Sequence, residues 1–160
     1  MKQVINIMLD INPERANIPK KFKPHMTLVY PFEISDQSLL YNHILKSIKN
    51  ISPFKIKFKG LKKSVKDYYL YLLVQNGKSN ILKLYKKLNS GILKDFKNPD
   101  MPKYMPHISL GIFKSKKDIE NAMRNPKFKN QEYSVKISSI QLLTLKKDDS
   151  IKSIKKFNLK

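Results

Sequence analysis

The sequence predicts a mixed helix-and-strand domain made of two similar halves that share one cleft. Three observations carry this. The chain has 160 residues, 41% of them apolar, which suits one domain or two small lobes around a common core. Strand-type alternation and helix-type spacing follow one another along it. One segment occurs twice: Pro24-His25-Met26-Thr27-Leu28 matches Pro106-His107-Ile108-Ser109-Leu110, and each copy precedes a helix pattern and then an alternating strand. Halves of this kind pack around a pseudo-two-fold axis with equivalent strands side by side, which sets the two histidines on opposite walls of one cleft.

Residues 3–11 read as a strand and 12–24, with Pro13, Pro19 and Pro24 among lysines, as a basic loop. Residues 25–30 read as a strand stopped by Pro31. Ser35 is placed to cap a helix over about 36–50 whose apolar face is Leu40, Ile44 and Ile48. Residues 54–60 alternate strictly, lysines outward, and 68–75 form a more continuous, central strand. Ser79 then caps a helix bearing Ile81, Leu84, Tyr85 and Leu88, which Gly91 stops. Residues 92–106 are a lysine- and proline-rich connection, and 107–113 a strand. Ser115 and Asp118 suggest a capping box for a short helix over 116–124. Residues 133–145 hold one or two strands; the basic tail, 146–160, reads equally as a last strand or a frayed end. The repeat aligns Phe54–Phe58 after the first motif with Tyr133–Ile137 after the second.

Composition narrows the chemistry. There is no cysteine, so disulfides, thiolate nucleophiles and cysteine-ligated metals are excluded. No apolar run approaches the roughly 18 residues of a membrane span. The N-terminal apolar stretch ends in Asp10 rather than a small-residue cleavage site, so it reads as a strand and not a signal peptide. A cytoplasmic monomer, without membrane contact, is expected. With 33 basic and 12 acidic residues the net charge is +21, which attracts polyanions such as RNA or nucleotides. Lysines that only keep an AT-rich genome's product soluble account for the same charge, so it gives the sign of a partner and not its identity.

Extended residues alternate between faces. His25, Thr27 and Val29 then share one face, opposite Met26 and Leu28. His107, Ser109 and Gly111 share another, opposite Ile108, Leu110 and Ile112, and Gly111 leaves room there for a ligand or another backbone. Each strand thus offers an imidazole beside a hydroxyl. Facing one another, the four groups suit a phosphodiester. Imidazole titrates near about 6.5, so one ring serves as base while the other serves as acid. Thr27 and Ser109 donate hydrogen bonds to phosphate oxygens as charge develops. No metal or other cofactor is required. A single His-x-Thr in a strand is commonly a buried structural histidine. Two copies with matching flanks, using two of the chain's three histidines, carry the catalytic reading.

On these motifs the chain resembles the 2H phosphoesterase superfamily, whose signature is a pair of His-x-[Thr/Ser]-apolar segments, and within it the 2'-5' RNA ligase-like branch. The likeness rests on Pro24–Phe32 and Pro106–Gly111 and extends through the 54–60 and 69–74 strands. It implies an α+β fold in one bilobal domain, 1–160, with two antiparallel sheets forming a central cleft and helices outside. The motif strands fall near 24–32 and 106–114. It implies metal-independent work on 2',3'-cyclic phosphates or 2'-5' phosphodiester bonds of RNA or nucleotides. His25 and His107 would be the acid–base pair, and Thr27 and Ser109 the phosphate-holding hydroxyls. Some relatives place an arginine after the second motif; here Gly111-Ile112-Phe113-Lys114 has none, and Lys114 is the candidate substitute.

Other residues carry less. His43 suits a helix boundary. Tyr30, Tyr69, Tyr71 and Tyr104 are candidate base-stacking rings or core, Tyr104 foremost because it leads into His107. Lys20, Lys21, Lys23 and Lys103 flank the motifs as candidate phosphate contacts or a solvated basic run. Glu14, Asp36 and Asp118 show no pairing that suggests carboxylate catalysis. Two other functions compete with RNA-end processing: hydrolysis of cyclic or signalling oligonucleotides by the same residues, and a non-catalytic RNA-binding module. Ligation is the same transesterification reversed, and water favours hydrolysis.

Overall fold

The computed structural model describes residues 1–97 and 103–160; the 98–102 portion of the expected 92–106 connection lies outside the described residues. In chain order the elements are β1 (Gln3–Met8), β2 (His25–Phe32), α1 (Gln37–Ile48), β3 (Phe54–Lys63), β4 (Tyr69–Asn76) and α2 (Lys78–Leu88). A 3-10 helix (Gly91–Phe96) follows, then β5 (His107–Ile112), α3 (Lys116–Arg124), α4 (Pro126–Lys129), β6 (Glu132–Ile137), β7 (Ser139–Leu145) and β8 (Ile151–Asn158). The strands form two antiparallel four-stranded sheets, ordered β2-β1-β7-β8 and β5-β4-β3-β6. The fold is α+β, as expected.

The halves interlock. The first sheet takes β1 and β2 from the first half and β7 and β8 from the second; the second sheet takes in β3 from the first. The two segments aligned by the repeat, β3 and β6, pair directly from Phe54↔Ile137 to Lys59↔Glu132. By position in its sheet, however, the counterpart of β3 is β7: each flanks the neighbour of a motif strand. The motif strands β2 and β5 are edge strands. One buried cluster runs through both sheets, from Ile5, Met26 and Leu28 to Phe58, Leu72 and Ile108. The helices close it with Leu40, Ile44 and Ile48 of α1, Ile81, Leu84 and Leu88 of α2, and Ile119 of α3. The tail is a strand after all: β8 pairs along β7 and buries Phe157.

Several element ends differ from expectation, each for a local reason. β2 runs past Pro31 to Phe32, because an edge strand tolerates a residue without an N–H. Asp36, not Ser35, caps α1, its Oδ1 accepting from the Leu39 N–H at 3.0 Å. At the start of α2, Gly77 sits at φ +80, where a Cβ would lie 2.4 Å from the Lys55 carbonyl oxygen. The turn therefore demands glycine, and Ser79 falls inside the helix. Asn89 rather than Gly91 ends α2, and Gly91 opens the 3-10 helix instead. β3 continues to Lys63 through a register shift around Gly60, whose φ is +93. The short α4 went unread although Asn125 caps it and Pro126 stands in its first turn.

Both motif strands break register at the same place. In β2 the pairing with β1 steps from Asn6↔Thr27 to Ile5↔Val29, so Leu28 is the extra residue. In β5 the pairing with β4 steps from Tyr71↔Ser109 to Leu70↔Gly111, so Leu110 is the extra residue. Each bulge leaves a leucine carbonyl outside the ladder. The side-chain Nδ2 of Asn89, itself a buried residue, donates to the Leu28 carbonyl at 2.9 Å and also to the Tyr85 carbonyl at 2.9 Å. The backbone N–H of Ala16 donates to the Leu110 carbonyl at 2.8 Å. Asn89→Ala should therefore cost about 1–3 kcal/mol, measured by urea denaturation, because it strands a buried acceptor at the bulge.

Candidate active site

The site is built from the proline outward. In Lys23-Pro24-His25 and in Met105-Pro106-His107 the proline fixes its own φ and holds the residue before it extended. Each proline carbonyl continues the ladder of its sheet: Leu9 N–H donates to Pro24 at 3.0 Å and Val74 N–H to Pro106 at 3.1 Å. The preceding carbonyl is left to the histidine. His25 Nδ1–H donates to the Lys23 carbonyl at 2.9 Å, and His107 Nδ1–H to the Met105 carbonyl at 2.7 Å. A carbonyl only accepts, so in both rings the neutral tautomer carries its proton on Nδ1 and offers the Nε2 lone pair. Among the described residues neither Nε2 has a hydrogen-bond partner.

Thr27 and Ser109 follow on the same strand faces, half-buried like the histidines, while Met26, Leu28, Ile108 and Leu110 are in the core. The alternation then fails at each bulge. Val29 is fully buried and leaves the face of His25 and Thr27; Tyr30 comes in its place and lines the same cavity as those two residues. Gly111 is buried and Ile112 is 39% exposed, the reverse of the expected faces. The room beside Gly111 is taken by the Phe113 ring and by backbone: a Cβ there would meet Phe113 Cε2 at 2.8 Å and the Ala16 carbonyl at 3.1 Å, and Ile112 N–H donates to that carbonyl at 3.2 Å.

The two walls meet through aromatic rings. Tyr104 Oη donates to the Thr27 carbonyl at 2.8 Å, tying the lead-in of β5 to β2. Its ring stacks on Tyr85 at 3.9 Å between centroids and 3° between planes, and it is 7% exposed. Tyr104 is thus an inter-strand tie, and not an open platform for a base. Tyr71 lies against His107, 4.0 Å between centroids. Burial pushes the Tyr104 hydroxyl far up, with Tyr30 and Tyr85 adding to it. It pushes Tyr30 up to about 12, with Tyr71 and Tyr85 adding. These phenols stay neutral across any working pH.

His107 is held below the ordinary imidazole value, first by burial. The Met105 carbonyl opposes this and the nearby His25 charge adds to it. The two imidazoles therefore lie within electrostatic reach of one another. A cavity of about 510 Å³ opens on the His25 wall, lined by His25, Thr27, Tyr30 and Lys23 among others. Lys103 is exposed. Lys114 lies past the end of β5 and lines a separate cavity of about 390 Å³ with Asn17, Asp118 and Asn121, away from both motifs. That placement does not support it as the stand-in for an arginine. His43 is structural: its Nε2–H donates to the Leu88 carbonyl at 2.9 Å, joining α1 to α2.

Sequence reasoning missed Asn6, a buried amide on β1 directly opposite Thr27. The signal was present: one polar residue inside Val4-Ile5-Asn6-Ile7. It also missed Asn89, whose part depends on a bulge no periodicity reveals. Among the described residues no three His, Cys, Asp or Glu side chains gather as a metal site. No helix among them is long and apolar enough to cross a membrane.

Two edge strands, each carrying a carbonyl-anchored histidine and a hydroxyl on one face, with the two imidazoles within electrostatic reach of one another, fit a two-histidine phosphoesterase fold. The chain belongs to the 2'-5' RNA ligase superfamily, whose family model matches residues 14–149. Among solved structures it is similar to Escherichia coli LigT complexed with 3'-AMP, at 14% identity, 99% of this chain, 95% of that one and a TM-score of 0.67. It is similar to Kluyveromyces marxianus Usb1 at 9% identity, 99% and 98% coverage and a TM-score of 0.63. TT0787 of Thermus thermophilus matches at 13% identity, 99% and 98% coverage and a TM-score of 0.64. Comparison with curated protein sequences gave no match.

Tyr104→Phe deletes only the hydroxyl that reaches Thr27. It should lower stability by about 0.5–1.5 kcal/mol in chemical denaturation, more than Tyr68→Phe at an exposed site.

Proposed function

We propose that this protein is a metal-independent phosphodiesterase that opens 2',3'-cyclic phosphates or cuts 2'-5' phosphodiester bonds of RNA or nucleotides. The observation that carries the reading is the matched pair of histidines: each ring is pinned through Nδ1 to the carbonyl two residues back, leaving Nε2 for proton transfer. A nucleotide ligand is supported by the LigT structures complexed with 3'-AMP and with phosphate and the Usb1 structure with uridine monophosphate. The core common to both sheets supports residues 1–160 acting as one bilobal unit.

His107, which burial keeps neutral, is the base. Its Nε2 takes a proton from a water, the water oxygen bonds to phosphorus, and the bond from phosphorus to one ribose oxygen breaks. His25 gives its Nε2 proton to that leaving oxygen. The Thr27 and Ser109 hydroxyls donate to the non-bridging oxygens as charge accumulates on them. Proton exchange with solvent then resets both rings, His107 losing a proton and His25 gaining one.

His25→Ala or His107→Ala should each lower kcat/KM on a nucleoside 2',3'-cyclic phosphate by about 100- to 10,000-fold with chelator present throughout. Full activity in the double alanine variant would sink the reading; salt-sensitive RNA binding with no turnover would replace it with a binding module. The pH dependence of kcat/KM reports the free enzyme. A base whose pKa is lowered stays unprotonated further into acid, so the acid limb of the bell should have its midpoint below about 6.5. A midpoint above that value refutes His107 as the base.

A further inference from the structure

A histidine that moves protons needs its ring held in one plane as well as at one place. The hydrogen bond from His107 Nδ1 to the Met105 carbonyl fixes a pivot. β4 supplies a second contact. In the β4–β5 ladder Leu73 pairs with His107 and Tyr71 with Ser109. Tyr71 is therefore diagonal to His107 across the ladder, a separation that aromatic side chains span. The two ring centroids lie 4.0 Å apart with 39° between the planes. Leu70 and Leu72, on either side of Tyr71 in sequence, are fully buried, whereas Tyr71 is half-buried on the opposite face with the motif. Tyr69, two residues back on β4, stacks on the Tyr71 ring at 6.2 Å and 23°. A column of Tyr69, Tyr71 and His107 thus runs along this face.

We propose that Tyr71 is a positioning residue for His107, its ring fixing the plane of the imidazole and keeping water off one side of it. The proposal deepens the reading above and rests on it only for the part of His107 as base. Tyr71 acts by shape and not by charge. Burial and then Tyr69 push its hydroxyl above the ordinary value, Ser64 opposing and Asp67 adding, so the phenol is neutral wherever an imidazole titrates. The other ionisable groups around the pair are His25, whose charge lowers His107, Tyr30 on β2, and Lys62, which pairs with Tyr71 from β3. An aromatic face attracts an imidazolium, which works against exclusion of water. His107 is held low, and burial is the first cause, so the loss of hydration is the larger effect.

The test follows the His107 ring protons by nuclear magnetic resonance against pH, assigned with His107→Gln, in the unaltered protein and in Tyr71→Ala, Tyr71→Leu and Tyr71→Phe. Tyr71→Ala opens the imidazole to water, so the His107 midpoint should rise toward about 6.5, and the acid limb of kcat/KM should rise with it. On a nucleoside 2',3'-cyclic phosphate kcat should fall about 10- to 100-fold, the scale of a misplaced group. KM should move less, because the Tyr71 hydroxyl meets Ser64 and not the motif. Tyr71→Leu keeps the strand apolar without a flat ring and should lower kcat in the same sense, which secures the result against misfolding of the alanine variant. Tyr71→Phe keeps the ring and should rescue both the midpoint and kcat. A midpoint and kcat unmoved in the alanine and leucine variants, or a phenylalanine variant no better than alanine, overturns the proposal. A lower melting temperature with neither readout changed makes Tyr71 a packing residue and overturns it as well. If the unaltered protein turns over no phosphodiester, the enzyme reading falls, and the titration alone decides on Tyr71.

Discussion

A leucine carbonyl pushed out of its ladder is the constraint on which the cleft depends. Each motif strand must present a histidine and a hydroxyl on one face and then turn its next residues into the core. Strict alternation cannot do both. The bulge at Leu28, and again at Leu110, resolves the conflict by inserting one residue out of phase, so that Val29 and Gly111 go inward. The cost is an acceptor with no strand partner. In β2 the Asn89 side chain answers it and thereby docks the end of α2 against the motif. In β5 the backbone of Ala16 does so, which draws the basic 12–24 loop onto the second sheet. The two bulges thus rest on contacts made by residues remote from either motif in sequence.

The equivalence of the halves is close in backbone and loose in side chains, and that looseness gives two identical rings different surroundings. Both are pinned through Nδ1 in the same way. His107, though, is packed against Tyr71 beside the tyrosine cluster and loses hydration, whereas His25 stands over an open cavity. Desolvation disfavours the imidazolium of His107. In the proposed mechanism acid and base would be separated by environment rather than by residue type, which is the general requirement for two like groups to share a proton-transfer task.

Much of this was legible beforehand. The duplicated segment named the two strands, and its prolines and alternation placed His25 with Thr27 and His107 with Ser109 on common faces. The helices over 37–48 and 78–88 followed from Leu40, Ile44 and Ile48 and from Ile81, Leu84 and Leu88. What escaped depends on contacts distant in the chain. Periodicity has no term for a bulge, so Val29 and Ile112 were put on the wrong faces. Tyr104 was legible as aromatic and near His107, but its partner, Tyr85, lies on α2. Helix caps failed by one or two residues where a neighbouring strand decided the turn, as Lys55 does at Gly77.

The charge of +21 acts at a different range from the site's own residues. On β3 the outward lysines are partly engaged: Lys57 and Lys59 both pair with Glu132, whose carboxyl the Lys57 hydrogen bond holds below its ordinary value. The cleft itself is lined mainly by apolar and neutral polar groups, with Lys21 and Lys23 at the mouth of the His25 cavity. Charges so arranged raise the local concentration of an anionic ligand and fade with ionic strength over about a Debye length. They do not choose between ligands of equal charge. Under the proposed function, selection would fall to the short-range groups of the motif strands, the two hydroxyls and the two Nε2 atoms.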